Sequence, residues 1–428
     1  MTHPGLHPRK NKLVYGLNQA DEWWPFADPT TSVVRDRVRQ ARPEILRIFL
    51  YDKHGPDPLT NWPDYRLYVQ TVLDVGAKPM ITFAKMDRPF GDPRALRSFA
   101  ERCADVVWQS LRHWGPEEVT QWYWAVWNEP NSTLIGGGLS FDQYARIYTA
   151  VAERCARWLR PHLPPGARPR IGGPGIEAFQ PLWQDWAYRF CTEIDQDLLG
   201  FLDWHTYGEW RREGEYGGAS DETHFRELML WVTHDYEARA RMMGRLARAH
   251  GMLNICGEHN AHSHESAEVR RRFNNTRFTA AFNASALIHL MRGGADAELF
   301  WAGVDSDGGY GMLDLDGTPR PVFHAKRLAA DYVQTGDEIV FPVQEPWSFD
   351  SVVATSPSGR RSAYIAHLRE DERSYPLSEL APGVKPKSIY VLDGTTGGDV
   401  KRVDAEHILT IAGQGVCVIT DEDAEPHR

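Results

Sequence analysis

Two glutamates stand where the chain would not tolerate a carboxylate without a use for it. Glu129 closes the aromatic run "WYWAVWNEPN", and Glu258 sits in the apolar run "LNICGEHN". Burial disfavours a charged carboxylate, so an acid at the end of a buried strand calls for a partner or a task. Two carboxylates facing one cavity supply what glycoside hydrolysis needs. One donates a proton to the leaving oxygen and the other attacks the anomeric carbon. Their surroundings must separate the two roles. The expectation is that burial beside an ionised partner keeps Glu129 protonated, while a nearby arginine keeps Glu258 charged.

The elements that would bring these residues together are legible as an alternation. "KLVYGLN", "EILRIFLYD", "AKPMITFA", "VTQWYWAVWNEPN", "RPRIGGPG", "LGFLDWHTYG", "LNICGEHN" and "AELFWAGVD" read as strands, with amphipathic helical stretches between them. Eight strands interleaved with helices predict a (β/α)8 TIM barrel, whose site lies at the C-terminal ends of the strands. In that arrangement Glu129 ends the fourth strand and Glu258 the seventh, and both point into the same mouth. Beyond about Thr335 the texture changes to short strand-like runs separated by turn residues, which predicts a small C-terminal β-sandwich. The expected organisation is an N-terminal tail over 1–11, the catalytic barrel over 12–335 and the β-sandwich domain over 336–428.

Composition narrows the partners. The 428 residues carry a net charge of −10, which argues against nucleic acid as the main partner. Sixteen tryptophans are many, and flat indole faces are what sugar rings stack on. Cys103, Cys155, Cys191, Cys256 and Cys417 are scattered with no C-x-x-C pair, so neither a disulfide framework nor a zinc site is suggested. The start of the sequence has no apolar core and no later run is of spanning length. A cytoplasmic protein without a membrane partner is therefore the expectation. Oligomeric state stays open.

"WAVWNEPN" is similar to the fourth-strand signature of the clan A glycoside hydrolases, and "VWNEPN" looks most like family 39. That family holds β-xylosidases, α-L-iduronidases and exopolysaccharide hydrolases. The resemblance implies a retaining glycosidase acting on a β-xyloside-like glycoside or oligosaccharide, with no cofactor and no metal. Residue by residue it makes Glu129 the general acid/base and Glu258 the nucleophile. Asn128 would hydrogen-bond the sugar 2-hydroxyl. Arg47 in "ILRIF" would lie near the nucleophile, and His205 and Tyr207 in "WHTYG" would form the sixth-strand pair that orients it. Trp301 in "LFWAGVD" would floor the sugar subsite.

Three positions depart from the family pattern. His259 follows the nucleophile where an aromatic residue is usual. Phe49 replaces a histidine two residues after Arg47. Asp305 and Asp307 follow the eighth-strand aromatic where the xylosidases carry a glutamate pair. All three are expected on the sugar-recognition side. His259, His262 and His264 in "EHNAHSHES" are close enough to raise a metal site, but their spacing fits no helix face or known ligand set. "GGPG" is expected as a turn, and "RRRF" at 270–273 as a solvated helix face. Alternatives on the same residues are a transglycosylase, a non-catalytic carbohydrate-binding barrel and a metal-dependent hydrolase.

Overall fold

The computed structural model describes residues 7–19, 23–50, 60–83, 92–133, 135–178, 182–209, 222–264, 266–305, 309–342, 347–404 and 406–423. Asp307 lies outside the described residues. After a short strand β1 (Arg9–Lys10), eight strands close a parallel barrel. They are β2 (Val14–Gln19), β3 (Ile45–Leu50), β4 (Lys78–Phe83), β5 (Tyr123–Val126), β6 (Ile171–Glu177), β7 (Phe201–Glu209), β8 (Leu253–His262) and β9 (Ala297–Phe300). Strands covered on both faces read as continuous apolar runs, and "ILRIFL" of β3 is buried at every position. Ile45, Met80, Tyr123, Ala125, Phe201, Ile255, Ala297 and Leu299 form one cluster, each from a different strand or from alternate positions of one. They are the packed floor beneath the mouth.

Helices are started by the residues the sequence supplies. Ser140 and Gln143 cap the helix Phe141–Leu159 reciprocally, and Asp92 with Pro93 opens the helix Pro93–Trp114. Trp122 and Trp124 are fully buried among helix-side apolar residues, as packing and not as sugar contacts.

Strands β10 (Glu338–Val340), β11 (Phe349–Thr355), β12 (Arg361–His367), β14 (Ser388–Leu392), β15 (Lys401–Val403) and β17 (Gly415–Thr420) form an antiparallel sheet with β1. Strands β13 (Glu372–Pro376) and β16 (Ile408–Ala412) make a second, two-stranded sheet. Val353, Ile365, Val391 and Ile419 pack against Tyr375, Leu409 and Ile411 between the two layers, which is the expected sandwich. The other face of the large sheet, including Val352, Tyr364 and Val418, joins the barrel core. Arg9 and Lys10 pair with Ile339 and Glu338, so part of the stretch expected as a tail is an edge strand of this sheet.

"GGPG" is not a turn. It lies inside β6, with a cis Gly173–Pro174 bond and a bulge between Pro174 and Ile176. A Cβ on Gly172 would meet Phe201 at 2.4 Å, and one on Gly173 the Tyr144 hydroxyl at 2.4 Å. Glycine is here because a neighbouring strand and helix approach the backbone, a reason the composition alone does not reveal.

Candidate active site

Period-two alternation decides which side chains enter the barrel. On β7, Asp203, His205 and Tyr207 share the inner face, while Trp204 turns outward to donate to Asn254. On β8 the pairing with β7 shifts by one residue at Gly257, so Cys256 pairs with Trp204 and Glu258 with His205. That bulge aims Glu258 inward, as bulges beside active sites commonly do. An added Cβ on Gly257 would lie 1.9 Å from Asp203 Oδ1, so no other residue fits there without movement. Glu129 leaves β5 by a sharp turn in which Trp127 and Glu129 both have positive φ, +76° and +44°. The backbone N–H of Glu129 is tied to the Gly175 carbonyl at 3.1 Å, and the Trp127 indole donates to the Gly136 carbonyl at 3.0 Å. Strained backbone of this kind persists only where its surroundings fix it.

The side chains converge on one hydrogen-bonded cluster. Arg47 from β3 is fully buried, and its guanidinium meets several neighbours at once, the Gly257 carbonyl at 3.5 Å among them. It donates to Thr82 Oγ1 at 2.7 Å, to Asn128 Oδ1 at 2.9 Å and to Glu258 Oε1 at 3.1 Å. It also meets His205 Nε2 at 3.0 Å and stands 3.8 Å from Asp203 Oδ2. Tyr207 donates to Glu258 Oε2 at 2.9 Å. His205 Nδ1 lies 2.8 Å from Glu129 Oε1 and 3.4 Å from Glu258 Oε1, so it bridges the two acids. Oxygen atoms of Glu129 and Glu258 lie within 4.8 Å of each other and of His205. The same cluster has metal-like spacing, but the Arg47 guanidinium already holds the cation's place against Glu258.

The electrostatics differ from the sequence expectation in one respect. At Glu258 burial works against the charged form that Arg47 and Tyr207 favour. Burial lifts its pKa from 4.5 to about 7, the His205 and Arg47 charges oppose this, and the Glu129 charge adds to it. The Tyr207 phenol is pushed far up by burial and then by the Glu258 charge, which keeps it a donor. Burial alone would depress His205, but Glu258, Asp203 and Glu129 together carry it up to about 10. The Arg47 contact at 3.0 Å asks for a lone pair on His205 Nε2, which selects the neutral ring with its proton on Nδ1 facing the acids. Protonation of the ring requires Nε2 to exchange Arg47 for Asp203, 3.8 Å away. For Asp203 itself, burial works upward, but Arg47 and His205 hold the carboxyl below the usual carboxylate range.

An aromatic wall completes the mouth. Trp301 is half-buried, edge-on to Phe49 at 5.7 Å and to Tyr310 at 6.4 Å. Phe49 lies under the Arg47 guanidinium at 4.6 Å, so the residue that replaces a family histidine is the apolar support of the arginine. Tyr310 lies 6.5 Å from Tyr207 and carries Arg270 at 4.4 Å over its ring. Asp305 stands one step behind, accepting from the Tyr310 backbone N–H at 2.7 Å and so ordering the loop.

Eight sequence-predicted residues are thus accounted for. Glu129, Glu258, Asn128, Arg47, His205 and Tyr207 form one connected cluster, Trp301 flanks it, and Asp305 shapes its rim. His259 does not line the sugar side. Strand alternation turns it outward, where Nε2 meets Glu298 at 2.7 Å and Glu298 in turn meets Lys326 at 2.6 Å. His262 stacks on Phe273 at 4.9 Å and its Nδ1 accepts from the His264 N–H, so the histidine-rich segment is a set of buried packing and loop contacts. The "RRRF" run divides: Arg271 and Arg272 are exposed, but Arg270 and Phe273 are buried beneath the mouth. Asp203 and Tyr310 were missed. The first was available from its i, i+2 spacing to His205 and Tyr207; the second sits in a glycine-flanked loop with no periodic signal.

The closed eight-stranded parallel barrel carries one carboxylate just past its fourth strand and one within its seventh, which is the layout the sequence resemblance implied. The family model of the glycosyl hydrolases family 39 matches residues 63–230. A β-xylosidase of Geobacillus stearothermophilus is 23% identical over 319 residues, covering 66% of this chain and 58% of that protein. The chain therefore spans somewhat over half the length of the curated relatives it matches. Among solved structures, an arabinofuranosidase superposes with a TM-score of 0.66 at 16% identity, covering 97% of this chain and 98% of that one. A monomeric β-xylosidase from Caulobacter crescentus CB15 gives 0.64 at 16% identity, with 97% of both chains covered. The chain is thus similar to family 39 of the glycosyl hydrolases over residues 63–230, and shares its fold with these solved structures. No helix among the described residues is long and apolar enough to cross a membrane.

Proposed function

We propose that the protein is a retaining O-glycosyl hydrolase acting on a β-xyloside-like glycoside or oligosaccharide. The observation that carries this reading is the closeness of the acids. One ring nitrogen of His205 reaches both, at 2.8 Å from Glu129 Oε1 and 3.4 Å from Glu258 Oε1. The nearest oxygens of the two acids are within 4.8 Å, which favours the shorter of the two spacings known for glycosidases. Retaining enzymes hold their two carboxyl groups about 5–5.5 Å apart, whereas inverting ones leave about 6.5–9.5 Å for a water. The donor pattern supports the division of labour. Glu258 receives Tyr207 on Oε2 and Arg47 on Oε1, which stabilise a carboxylate poised to attack. Glu129 has one oxygen against His205, and its buried Oε2 has no partner among the described residues, which suits the oxygen that carries the transferable proton.

In the first step Glu258 bonds to the anomeric carbon as the glycosidic C–O bond breaks, and the Glu129 proton passes to the leaving oxygen. In the second, Glu129 takes a proton from water, the hydroxide oxygen bonds to the anomeric carbon, and Glu258 leaves as carboxylate. Asn128, fixed by Arg47, faces the 2-hydroxyl, and Trp301 offers the ring a stacking face. Xylosides lead the proposal because the matched relatives are named β-xylosidases.

The test is hydrolysis of an aryl-glycoside panel, spanning β-xyloside, β-glucoside, β-galactoside, α-L-arabinofuranoside and β-glucuronide, by the wild type and by Glu258→Gly with and without azide. Activity on one sugar, lost in the variant and restored as a glycosyl azide of inverted configuration, is expected. Unchanged turnover by the variant would remove Glu258 from its role.

A further inference from the structure

Outside the mouth, one cluster joins three elements that the proposed chemistry does not use. His234 comes from the helix Thr233–Ala249, His289 from the helix Arg277–Gly293, and Asp350 from β11 of the C-terminal sheet. One ring nitrogen of each histidine and a carboxylate oxygen of Asp350 lie within 4.8 Å of one another. His289 Nε2 stands 3.3 Å from Asp350 Oδ2, longer than the about 2.7–2.9 Å of a charge-assisted hydrogen bond. It is close to the about 3.3–3.4 Å edge of a tetrahedron with metal–ligand bonds near 2.0–2.1 Å.

The remaining nitrogens are held as metal-ligating histidines are held. His289 Nδ1 lies 3.2 Å from Glu237 Oε2, a carboxylate on its far side. His234 Nδ1 meets the Trp231 carbonyl at 3.0 Å, which leaves its Nε2 without a partner among the described residues. A carboxylate or backbone carbonyl on the second nitrogen fixes the tautomer and aims the first. Charge fits as well. Glu237 is shared with Arg241 and Arg292, whereas Asp350 is almost fully buried and, among the described residues, has His289 and the Ser285 hydroxyl as hydrogen-bond partners with His234 close by. His234 is half-buried, so the third corner opens toward solvent beside the stacked Trp231 and Trp347.

We infer that His234, His289 and Asp350 form a site for a divalent transition metal, Zn2+ or its like, which staples two barrel helices to the C-terminal sheet. Two imidazoles and one carboxylate suit such an ion, and water or Ser285 supplies the fourth position. The site shares no residue with the glycosidase cluster and is independent of the reading given for it.

The experiment is calorimetric titration of Zn2+ into chelator-treated full-length protein, with thermal unfolding and Co2+ spectra alongside. Wild type is expected to bind one Zn2+, to show the visible bands of four-coordinate Co2+, and to gain about 3 °C in Tm at a metal concentration 100-fold above Kd. His234→Phe keeps a ring stacked on Trp231 and removes a ligand. It is expected to melt like the metal-free wild type, to weaken binding at least 10-fold and to lose the Co2+ bands. Glu258→Gln, which alters the other cluster of similar spacing, is expected to bind Zn2+ unchanged. The proposal is overturned by an absence of saturable binding in the wild type, by undiminished binding in His234→Phe, or by loss of binding in Glu258→Gln.

Discussion

Tyr207→Phe removes one oxygen atom and one hydrogen bond, the 2.9 Å contact to Glu258 Oε2. That bond favours the charged carboxylate, so its loss raises the Glu258 pKa from the about 7 set by burial and the neighbouring acid. A hydrogen bond to a charged group contributes about 1.5–3 kcal/mol, and one pKa unit is 1.36 kcal/mol, so the midpoint should rise by about 1–2 units. Glu258 must be ionised to attack, and kcat/KM reports the free enzyme, so its acidic limb should move upward by that amount. Well below the limb, kcat/KM should fall by about 10- to 100-fold, and the deficit should shrink at alkaline pH once Glu258 is ionised in both proteins. The assay is a pH profile of kcat/KM on the aryl glycoside that the panel selects, with Tm recorded to show an intact fold. An acidic limb that stays in place while activity drops equally at every pH would refute the electrostatic role and leave Tyr207 as a spacer.

Other perturbations test the surrounding construction. Arg47→Met strips Glu258 and Asp203 of their buried cation, and should cost about 3–5 kcal/mol in urea unfolding at neutral pH; Arg47→Lys should recover part of this without the fork to Thr82 and Asn128. Gly257→Ala forces a methyl onto Asp203, and should lower stability by about 1–3 kcal/mol and depress kcat by moving Glu258. Stability should also depend on pH. Glu258 has a folded pKa raised above its ordinary 4.5, so it contributes stability that is full below that ordinary value. That contribution fades as pH rises toward about 7. Urea midpoints measured across this range should fall, and Glu258→Gln should flatten the slope.

The barrel was legible because its inner strands are long apolar runs and its helices carry clear caps and stops. The site was legible where a polar residue interrupts or follows such a run, as Arg47, His205 and Glu258 do within β3, β7 and β8 and Glu129 does just beyond β5. What stayed hidden depended on approach from elsewhere in the fold. "GGPG" resembles a turn locally and is a strand because Phe201 and Tyr144 press on its backbone. Arg270 lies in a basic run but is buried under Tyr310. His259 follows the nucleophile in sequence, yet the pleat sends it to Glu298. The direction of the Glu258 shift depended on weighing burial against two cations, which spacing cannot do. Strands β13 and β15 are short, exposed and polar, so they gave no periodic signal.

The helix Arg277–Gly293 is buried at almost every position, one flank against the barrel and the other against the large antiparallel sheet. A helix buried all round has no face to offer water. The two layers therefore share one hydrophobic interior, and β1 binds an early strand of the chain to the late sheet. A barrel cut free near residue 335 would bare that flank and lose the partner of β1, making an insoluble fragment the expected product. For protein engineering, the C-terminal sheet is part of the protein's chassis and not an appendage that can be exchanged.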